Sequence, residues 1–142
     1  AEDVLAQCAG HGLVEARPAG VTEHLPLVGA PAGATHAISG PPGLHLYGSD
    51  AATVQALPGA DVELAPGLTE AMVRFAARHE YACGVEDVLA RRSRLLFLDA
   101  RLAASVAPRV AEILAEELGE AFDARASLDA FLALAARYAT VP

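Results

Sequence analysis

Apolar residues recur three or four positions apart over most of the sequence after residue 48, which is the spacing of one face of an α-helix. The clearest apolar stripe comprises Val110, Ile113, Leu114 and Leu118. Gly119 follows this stripe and is predicted to end the helix, because a residue without a Cβ suits the left-handed conformation found at helix ends. None of these segments is apolar on all sides, so each is expected to bury one face against its neighbours.

Residues that can cap the N-terminus of a helix stand before several of these segments. Ser49 and Asp50 are predicted to cap a short helix. Thr69 is predicted to cap a longer helix that runs to about Cys83, with Gly84 as its stop. The interior face of this longer helix is predicted to consist of Met72, Val73, Ala76 and Ala82.

Further helical segments are predicted towards the end of the chain. Residues 85–92 have acids in the first turn and arginines in the last, which suits the helix dipole. Asp99 is expected to cap a helix in which Pro108 either introduces a kink or begins a new helix. Ser127 is predicted to cap the last helix. The apolar face of that helix is predicted to consist of Leu128, Phe131, Leu132, Ala135 and Tyr138.

The first 48 residues carry fewer helical patterns. Residues 1–9 are predicted to be the end of a helix that Gly10 stops, and this start indicates a piece of a longer polypeptide. Residues 21–28 are short and apolar but contain Pro26, so we interpret them as a connector rather than a central strand. Residues 29–43 are rich in glycine and proline and are predicted to form an irregular loop.

The pattern as a whole predicts a mainly α fold, a compact bundle of five or six short helices preceded by a Pro/Gly-rich extended segment. A change of composition near residue 48 predicts two regions. Residues 1–48 would hold the end of a helix and a connector, and residues 49–142 the helical domain. Because 33 of the 142 residues are alanine, which buries little surface, the core is expected to rely on leucine and valine.

The charge of the chain argues against nucleic acid as a partner. The 18 acidic residues outweigh the 10 basic ones and give a net charge of −8, whereas proteins that bind DNA or RNA present a basic face to the phosphates. Aromatic residues make up only 5% of the chain and tryptophan is absent, so stacking platforms for single strands are not expected.

Cysteine usage and hydropathy favour a reduced, cytoplasmic setting. Cys8 and Cys83 lie far apart and outside any C-x-x-C spacing, so neither a disulfide framework nor a zinc site is predicted. The sequence contains no apolar run of about 18 residues, and its first residues lack the basic region of a signal peptide.

The sequence contains no motif that identifies a catalytic domain. It has no G-x-G-x-x-G turn for a dinucleotide, no G-x-x-x-x-G-K-[ST] loop for a nucleotide phosphate, and no lysine. His79 could be a proton relay or an interface residue, but a packing role is favoured for a single histidine in a helix. Cys83 lies four residues later, and burial as an inert packing group is favoured over a nucleophilic role.

Arg91, Arg92 and Arg94 form a basic cluster in an otherwise acidic chain. Their guanidinium groups could hold a phosphate or a carboxylate, or they could tie two helices together through carboxylates of the chain itself. The acidic neighbours are Glu80, Glu86, Asp87 and Asp99. Because so many acids lie close in sequence, the structural interpretation is favoured.

The same region resembles a known family. HEYACGVEDVLARRSRLLFLD at residues 79–99 and APRVAEILAEELG at residues 107–119 are similar to the C-terminal domain of aerobic, FAD-dependent glycerol-3-phosphate dehydrogenases. The family string has a V-x-D-[VLI]-[LI]-x-R-R-[ST]-R-L core followed by a Pro-Arg helix. AEDVL at residues 1–5, the Leu-Pro-Leu connector at residues 25–27 and YGSDA at residues 47–51 also resemble segments of that family.

The resemblance implies that the chain is an accessory, non-catalytic part of a two-domain enzyme. In that family an N-terminal domain binds FAD, and the enzyme oxidises sn-glycerol 3-phosphate to dihydroxyacetone phosphate with quinone or oxygen as electron acceptor. No catalytic, cofactor-binding or metal-binding residue carries over, so this piece alone is expected to be inactive and to bind no FAD. The candidate motif and inter-domain residues are His79, Glu80, Tyr81, Asp87, Arg91, Arg92 and Arg94. Their implied roles are packing within the helical domain and contact with the flavin domain.

The resemblance also implies partners and a location for the full-length enzyme. The expected partner is the N-terminal flavin domain of the same chain. A second copy of the enzyme, in a homodimer, is a further candidate partner. Contact with quinone or with a membrane surface is expected only in the full-length enzyme. The expected location is the cytoplasm, with attachment to the inner face of the cytoplasmic membrane as an alternative.

Two other functions stay open from the residues alone. A small independent binding module would use Arg91, Arg92 and Arg94 to capture a phosphorylated ligand or an acidic peptide, and it would require exposed guanidinium groups that converge on one pocket. A stand-alone enzyme would use His79 and Glu80 as acid and base, although neighbouring residues on a helix point in different directions.

Overall fold

The computed structural model describes residues 2–18, 20, 27, 29–30 and 41–139. The chain divides into two compact units, Ala1–Ala34 and Thr35–Pro142. In the first unit, α1 spans Glu2–Gly10, which confirms the helix predicted at the start of the sequence. The predicted connector and the predicted irregular loop lie largely outside the described residues.

The second unit is built from helices and one small hairpin. A 3-10 helix, Leu44–Asp50, leads into α2, Ala51–Gln55. Strand β1, Glu63–Ala65, pairs antiparallel with β2, Leu68–Thr69. The elements that follow are α3 (Glu70–His79), a π-helical segment (Asp87–Arg92), α4 (Leu95–Leu98), α5 (Ala100–Leu118), a 3-10 turn (Gly119–Ala121) and α6 (Ala124–Tyr138). This architecture confirms the prediction of a mainly α fold.

Helix α5 is the hub of the core, because α3, α4 and α6 all pack against it. Its predicted inward stripe is confirmed, since Val110, Ile113 and Leu114 are fully buried. Phe131 of α6 and Leu89 of the π-helical segment are buried in the same core. Burying a side chain of this size contributes roughly 1.5–3 kcal/mol, so a few large side chains supply most of the packing energy of this alanine-rich chain.

Ion pairs join the polar edges of α3 and α5. Arg74 of α3 is buried, and its Nη1 lies 2.9 Å from Oε1 of Glu117. Arg78, one turn later, lies 2.6 Å from the same carboxylate. From α5, Arg109 donates two hydrogen bonds to the buried Glu70, at 2.7 and 3.0 Å. Because each buried charge has an opposite charge beside it, α3 can bury these residues against α5.

Two predicted helix caps are confirmed. The Thr69 hydroxyl accepts a hydrogen bond from the Met72 amide at 3.4 Å. Asp99 caps α5, since its Oδ1 accepts hydrogen bonds from two amides of the first turn at 3.1 and 2.9 Å. Helix α5 runs through Pro108 as one element, so no new helix begins there. It ends at Gly119, which has φ 70°, as predicted.

Helix α3 ends at His79, so the prediction that it runs to about Cys83 and is stopped by Gly84 is wrong. Tyr81, two residues after the helix, adopts the left-handed conformation with φ 57°. The Ala76 carbonyl accepts a hydrogen bond from the Glu80 amide at 3.1 Å and closes the last turn. A left-handed residue turns the chain away from the helix before the glycine is reached, and the sequence gives no warning because this residue is not glycine.

The predicted cap of the last helix is also wrong. Asp123 caps α6, since its Oδ1 accepts a hydrogen bond from the Ala126 amide at 2.9 Å. Ser127 lies inside α6, and its hydroxyl accepts a hydrogen bond from the Val85 amide at 3.0 Å. It therefore satisfies a backbone donor of the segment after α3 instead of one of its own helix. Tyr138 is 44% exposed and does not belong to the buried face predicted for α6.

The capping predicted for Ser49 and Asp50 is not found. Asp50 stands at the N-cap of α2, but its side chain makes no capping hydrogen bond. The preceding 3-10 helix leads directly into α2, and the Ala51 amide donates to the Gly48 carbonyl. A backbone acceptor thus replaces a side-chain cap. The predicted boundary after residue 48 falls inside this 3-10 helix.

The hairpin between α2 and α3 was not predicted. Its turn contains Pro66 and Gly67, a pair typical of two-residue turns, and Gly67 has φ 75°. A Cβ at Gly67 would collide with the Pro42 carbonyl, so glycine is required there for space as well as for conformation. The Gly67 amide also donates to the Glu63 carboxylate at 2.9 Å.

Candidate functional site

The candidate residues lie in and around the connection between α3 and α4. We call residues 79–94 the arginine corner. Its candidate residues are, in chain order, His79, Glu80, Tyr81, Asp87, Arg91, Arg92 and Arg94. The helix predicted at residues 85–92 is present, but from Asp87 to Arg92 it has the wider π-helical turn.

The π-helical turn is held by Ser93, the serine of the R-R-S-R string. The Ser93 amide donates to the carbonyl of Val88, five residues earlier, at 2.9 Å. The Ser93 hydroxyl donates to the same carbonyl at 2.9 Å. Val88 and Leu89 on the inner side are buried. A turn of this kind is uncommon in helices and is frequent at functional sites.

Arg92 connects the two ends of the arginine corner. Its Nε donates to the Glu80 carboxylate at 3.2 Å, and its Nη1 donates to the Asp87 carbonyl at 3.2 Å. Its Nη2 also donates to the Glu80 carbonyl. Arg92 thus ties Glu80, the residue directly after α3, to the start of the π-helical segment, and the fork of the guanidinium group suits these separate acceptors.

Asp87 forms a second connection within the arginine corner, through hydrogen bonds that are exposed to solvent. Its Oδ1 lies 2.7 Å from Nη1 of Arg91, and its Oδ2 accepts a hydrogen bond from the Cys83 amide at 2.9 Å. Arg91 also lies 2.8 Å from the Glu86 carboxylate. Cys83 is exposed, and its Sγ donates to the Tyr81 carbonyl at 3.5 Å, so the prediction that this cysteine is buried is wrong.

Tyr81 and Arg94 are the two residues other than glycine that have a left-handed backbone among the described residues, each with φ 57°. Tyr81 is 90% exposed, so packing does not account for its conformation. Arg94 is exposed and forms no ion pair with any described residue. Non-glycine residues held in this region of φ and ψ often mark functional positions.

An aromatic stack lies beside the arginine corner. The Tyr47 ring meets Phe75 edge to face, with centroids 5.3 Å apart, and Phe75 lies 4.7 Å from the His79 ring. Burial raises the pKa of Tyr47 to about 12, and the negative charge of Glu80 adds to this shift. Neither Tyr47 nor Phe75 was assigned a role from the sequence. The YGSDA string marked the position of Tyr47, whereas nothing in the sequence singled out Phe75.

These contacts bear on the three functions weighed from the sequence. Arg91 and Arg92 are paired with different carboxylates of the arginine corner, so these two side chains do not converge on one pocket and the independent binding module is not favoured. Glu80 is held by Arg92, and the His79 ring packs on Phe75. The geometry therefore supports an internally braced connection between helices.

The described residues do not fit a dinucleotide site. Such a site requires a parallel strand followed by a Gly-rich turn and a helix. The sheet formed by the described residues is an antiparallel hairpin of two short strands. In the described part of the chain, no helix is long and apolar enough to cross a membrane.

A comparison with known protein families matches the region of the chain that contains the arginine corner. The sequence profile of a family described as the C-terminal domain of alpha-glycerophosphate oxidase matches residues 43–125. This match covers more than half of the chain, including the hairpin, the arginine corner and all of α5. The chain belongs to that family. The resemblance seen in the residues is thereby confirmed.

This chain is also similar to several much longer curated proteins. It is 46% identical over 78 residues to the mitochondrial glycerol-3-phosphate dehydrogenase of Arabidopsis thaliana. This alignment covers 51% of this chain and 12% of that protein. It is 50% identical over 50 residues to a probable mitochondrial glycerol-3-phosphate dehydrogenase of Caenorhabditis elegans, covering 35% of this chain and 7% of that protein. A probable mitochondrial enzyme of Dictyostelium discoideum is 38% identical over 76 residues, or 50% of this chain and 12% of its own length.

The matched segment is thus a small fraction of each of these relatives, 12% at most. No solved structure matches the domain.

Proposed function

We propose that this chain is the non-catalytic C-terminal domain of an FAD-dependent glycerol-3-phosphate dehydrogenase. The full-length protein would oxidise sn-glycerol 3-phosphate to dihydroxyacetone phosphate, with FAD as the hydride acceptor in a separate N-terminal domain. Two findings support this proposal: the family match over residues 43–125, and relatives that carry the name glycerol-3-phosphate dehydrogenase.

The observation that carries the accessory role is the internal pairing of the arginine corner. Arg91 and Arg92 carry guanidinium groups of the kind that can hold a phosphate. In this domain both are bound to its own carboxylates and carbonyls. A guanidinium group that connects two helical segments stabilises the structure of the domain. A catalytic domain would contact the surface that these segments form.

The expected partner is the flavin domain of the same polypeptide. His79, Glu80, Tyr81, Asp87 and the three arginines of the corner are proposed to form or support this inter-domain contact. A homodimer, a quinone or a membrane surface would be a partner of the full-length enzyme only. We propose a cytoplasmic location for that enzyme, with attachment to the inner face of the cytoplasmic membrane as the alternative.

The test is made on the full-length polypeptide that contains this chain. The purified protein is expected to show the absorbance of bound FAD. This absorbance should bleach when glycerol 3-phosphate is added without oxygen, and dihydroxyacetone phosphate should form in equal amount. A protein that contains flavin but is not reduced by glycerol 3-phosphate would refute the substrate, and one without flavin would refute the proposed cofactor.

A further inference from the structure

Three exposed apolar side chains lie on or beside the short helix α4. Phe97 is 53% exposed and Leu98 is 74% exposed. Tyr138, near the end of α6, is 44% exposed and meets Phe97 edge to face, with ring centroids 5.5 Å apart. Single exposed apolar residues are common, but a group of adjoining ones marks a contact surface.

Arg94 precedes this apolar group in the chain and carries a charge that no described residue neutralises with an ion pair. It directly precedes α4, and its carbonyl accepts a hydrogen bond from the Phe97 amide at 3.0 Å. Arg91 and Arg92 have ion-pair partners, whereas Arg94 has none among the described residues. Its left-handed backbone, with φ 57°, fixes the direction in which the chain enters α4. We call Arg94, Phe97, Leu98 and Tyr138 the α4 face.

We propose that the α4 face docks on the flavin domain of the same polypeptide, against an apolar surface with a carboxylate placed to pair with Arg94. This inference rests on the proposed function and adds the surface and the chemistry of its partner. An apolar centre with a charged edge is the usual composition of a protein contact. A guanidinium group favours a carboxylate, which it can bind through two hydrogen bonds.

Length and charge favour this occupant over the others. The relatives are many times longer than the matched segment, which is 12% or less of each. In such a protein the rest of the chain is tethered close to the domain, at a high effective concentration. An anionic membrane surface would repel a chain of net charge −8. A second copy would carry the same net charge of −8, and repulsion between the two like charges would oppose the contact.

The experiment measures how accessible position 98 is in the full-length polypeptide. Cys8 and Cys83 are changed to serine, and Leu98→Cys places a thiol on the α4 face. The rate of alkylation by a maleimide at this position is read by peptide mass spectrometry, in native protein and in urea, without lipid. Leu98 is 74% exposed in the domain, so an open face would label at nearly the unfolded rate. We expect native labelling to be roughly tenfold slower or more, because the face is covered.

A matched pair of arginine substitutions tests the carboxylate. Arg94→Asn removes the guanidinium group and keeps a residue that tolerates the left-handed conformation. Arg125→Asn removes the same charge from the first turn of α6, where Arg125 pairs with Asp129 at 2.7 Å. Combined with Leu98→Cys, Arg94→Asn should raise the labelling rate several-fold, and Arg125→Asn should leave it unchanged.

Three outcomes would overturn the proposal. Native labelling at the unfolded rate would show an open face, protection that disappears on dilution would identify a second copy, and protection only with anionic vesicles would identify a membrane. The same preparation is assayed for reduction by glycerol 3-phosphate. Active enzyme with an open face would refute the docking surface alone, and a covered face on a protein that glycerol 3-phosphate does not reduce would refute the proposed function alone.

Discussion

Arg92 donates hydrogen bonds to three acceptors that belong to two different helical segments. Two of these acceptors are backbone carbonyls, at Glu80 and Asp87, and the third is the Glu80 carboxylate. Carbonyls at helix ends lack partners within their own helix and must find them elsewhere. Arg92 supplies such partners where α3 ends, which allows the chain to turn at Tyr81 without a glycine.

The geometry of this fork gives a prediction about lysine. Arg92→Lys keeps the charge but cannot reach three separated acceptors, so we expect a loss of about 2 kcal/mol in the free energy of unfolding. Arg91→Lys alters an exposed pair and should cost less than about 1 kcal/mol. Urea denaturation followed by circular dichroism measures both variants. Equal losses of unfolding free energy in the two variants would show that the hydrogen bonds of Arg92 do not connect α3 to the π-helical segment.

Tyr81 gives a prediction of the opposite sign. Its left-handed backbone is unfavourable for tyrosine, and its side chain is 90% exposed, so little packing is lost on replacement. Tyr81→Asn should raise the free energy of unfolding by roughly 0.5–1 kcal/mol, because asparagine tolerates this conformation. Tyr81→Ala keeps the penalty and is the matched control without a gain. If both variants unfold at the same urea concentration, the backbone at Tyr81 is not strained.

At the scale of elements, α3 and α5 are joined by buried carboxylates that remain ionised. The hydrogen bonds from Arg109 hold the pKa of Glu70 below its ordinary value, although burial opposes this effect. The hydrogen bond from Arg78 similarly lowers the pKa of Glu117. A carboxyl group whose pKa is lower in the folded state stabilises the fold above its unfolded pKa. This contribution is lost as the pH falls through the lowered value.

The pH dependence of stability follows from these shifts. The free energy of unfolding is expected to fall as the pH is lowered from about 5 to about 3, because Glu70 and Glu117 must take up protons against their arginine partners. Glu70→Gln should be less stable at neutral pH and should show a smaller change over this range. Glu120→Gln, an exposed site without an ion pair among the described residues, is the control. A Glu70→Gln variant that keeps the full pH dependence would exclude Glu70 as its source.

The start of a helix could be predicted from the sequence where a local signal, the capping residue, decided where the helix begins. Thr69 and Asp99 cap their helices, and each accepts hydrogen bonds from amides in the first turn of the helix that it precedes. Ser127 looked equally suitable, but the Val85 amide from a distant segment takes its hydroxyl, and Asp123 caps α6 one turn earlier. Contacts between residues far apart in sequence therefore decided the cases in which the local signal was wrong.

The arginine corner shows the same limit. The R-R-S-R string predicted the family, and the acids close to it in sequence predicted internal ion pairs. The spacing of apolar residues in a helix of 3.6 residues per turn could not reveal a π-helical turn or a left-handed Tyr81. The pairing of Arg91 with Glu86 and Asp87 follows from local spacing. The pairing of Arg92 with Glu80, twelve residues earlier, requires the tertiary turn that the chain makes at Tyr81.

At the scale of the whole molecule, the proposed function separates support from chemistry. The described residues form a helical core, an arginine corner in which Arg91 and Arg92 are paired internally, and an exposed α4 face, and their one sheet is a short antiparallel hairpin. Under the proposed function, this domain contributes shape and contact surface to an enzyme, while the cofactor and the substrate bind to another part of the polypeptide.

The most direct test of this separation is a titration of the 142-residue chain with FAD by isothermal calorimetry, with glycerol 3-phosphate oxidation assayed on the same sample. Circular dichroism first establishes that the sample is helical. We expect no heat of FAD binding and no turnover at any protein concentration used. Binding of FAD with micromolar affinity, or oxidation of glycerol 3-phosphate by this chain alone, would contradict the account.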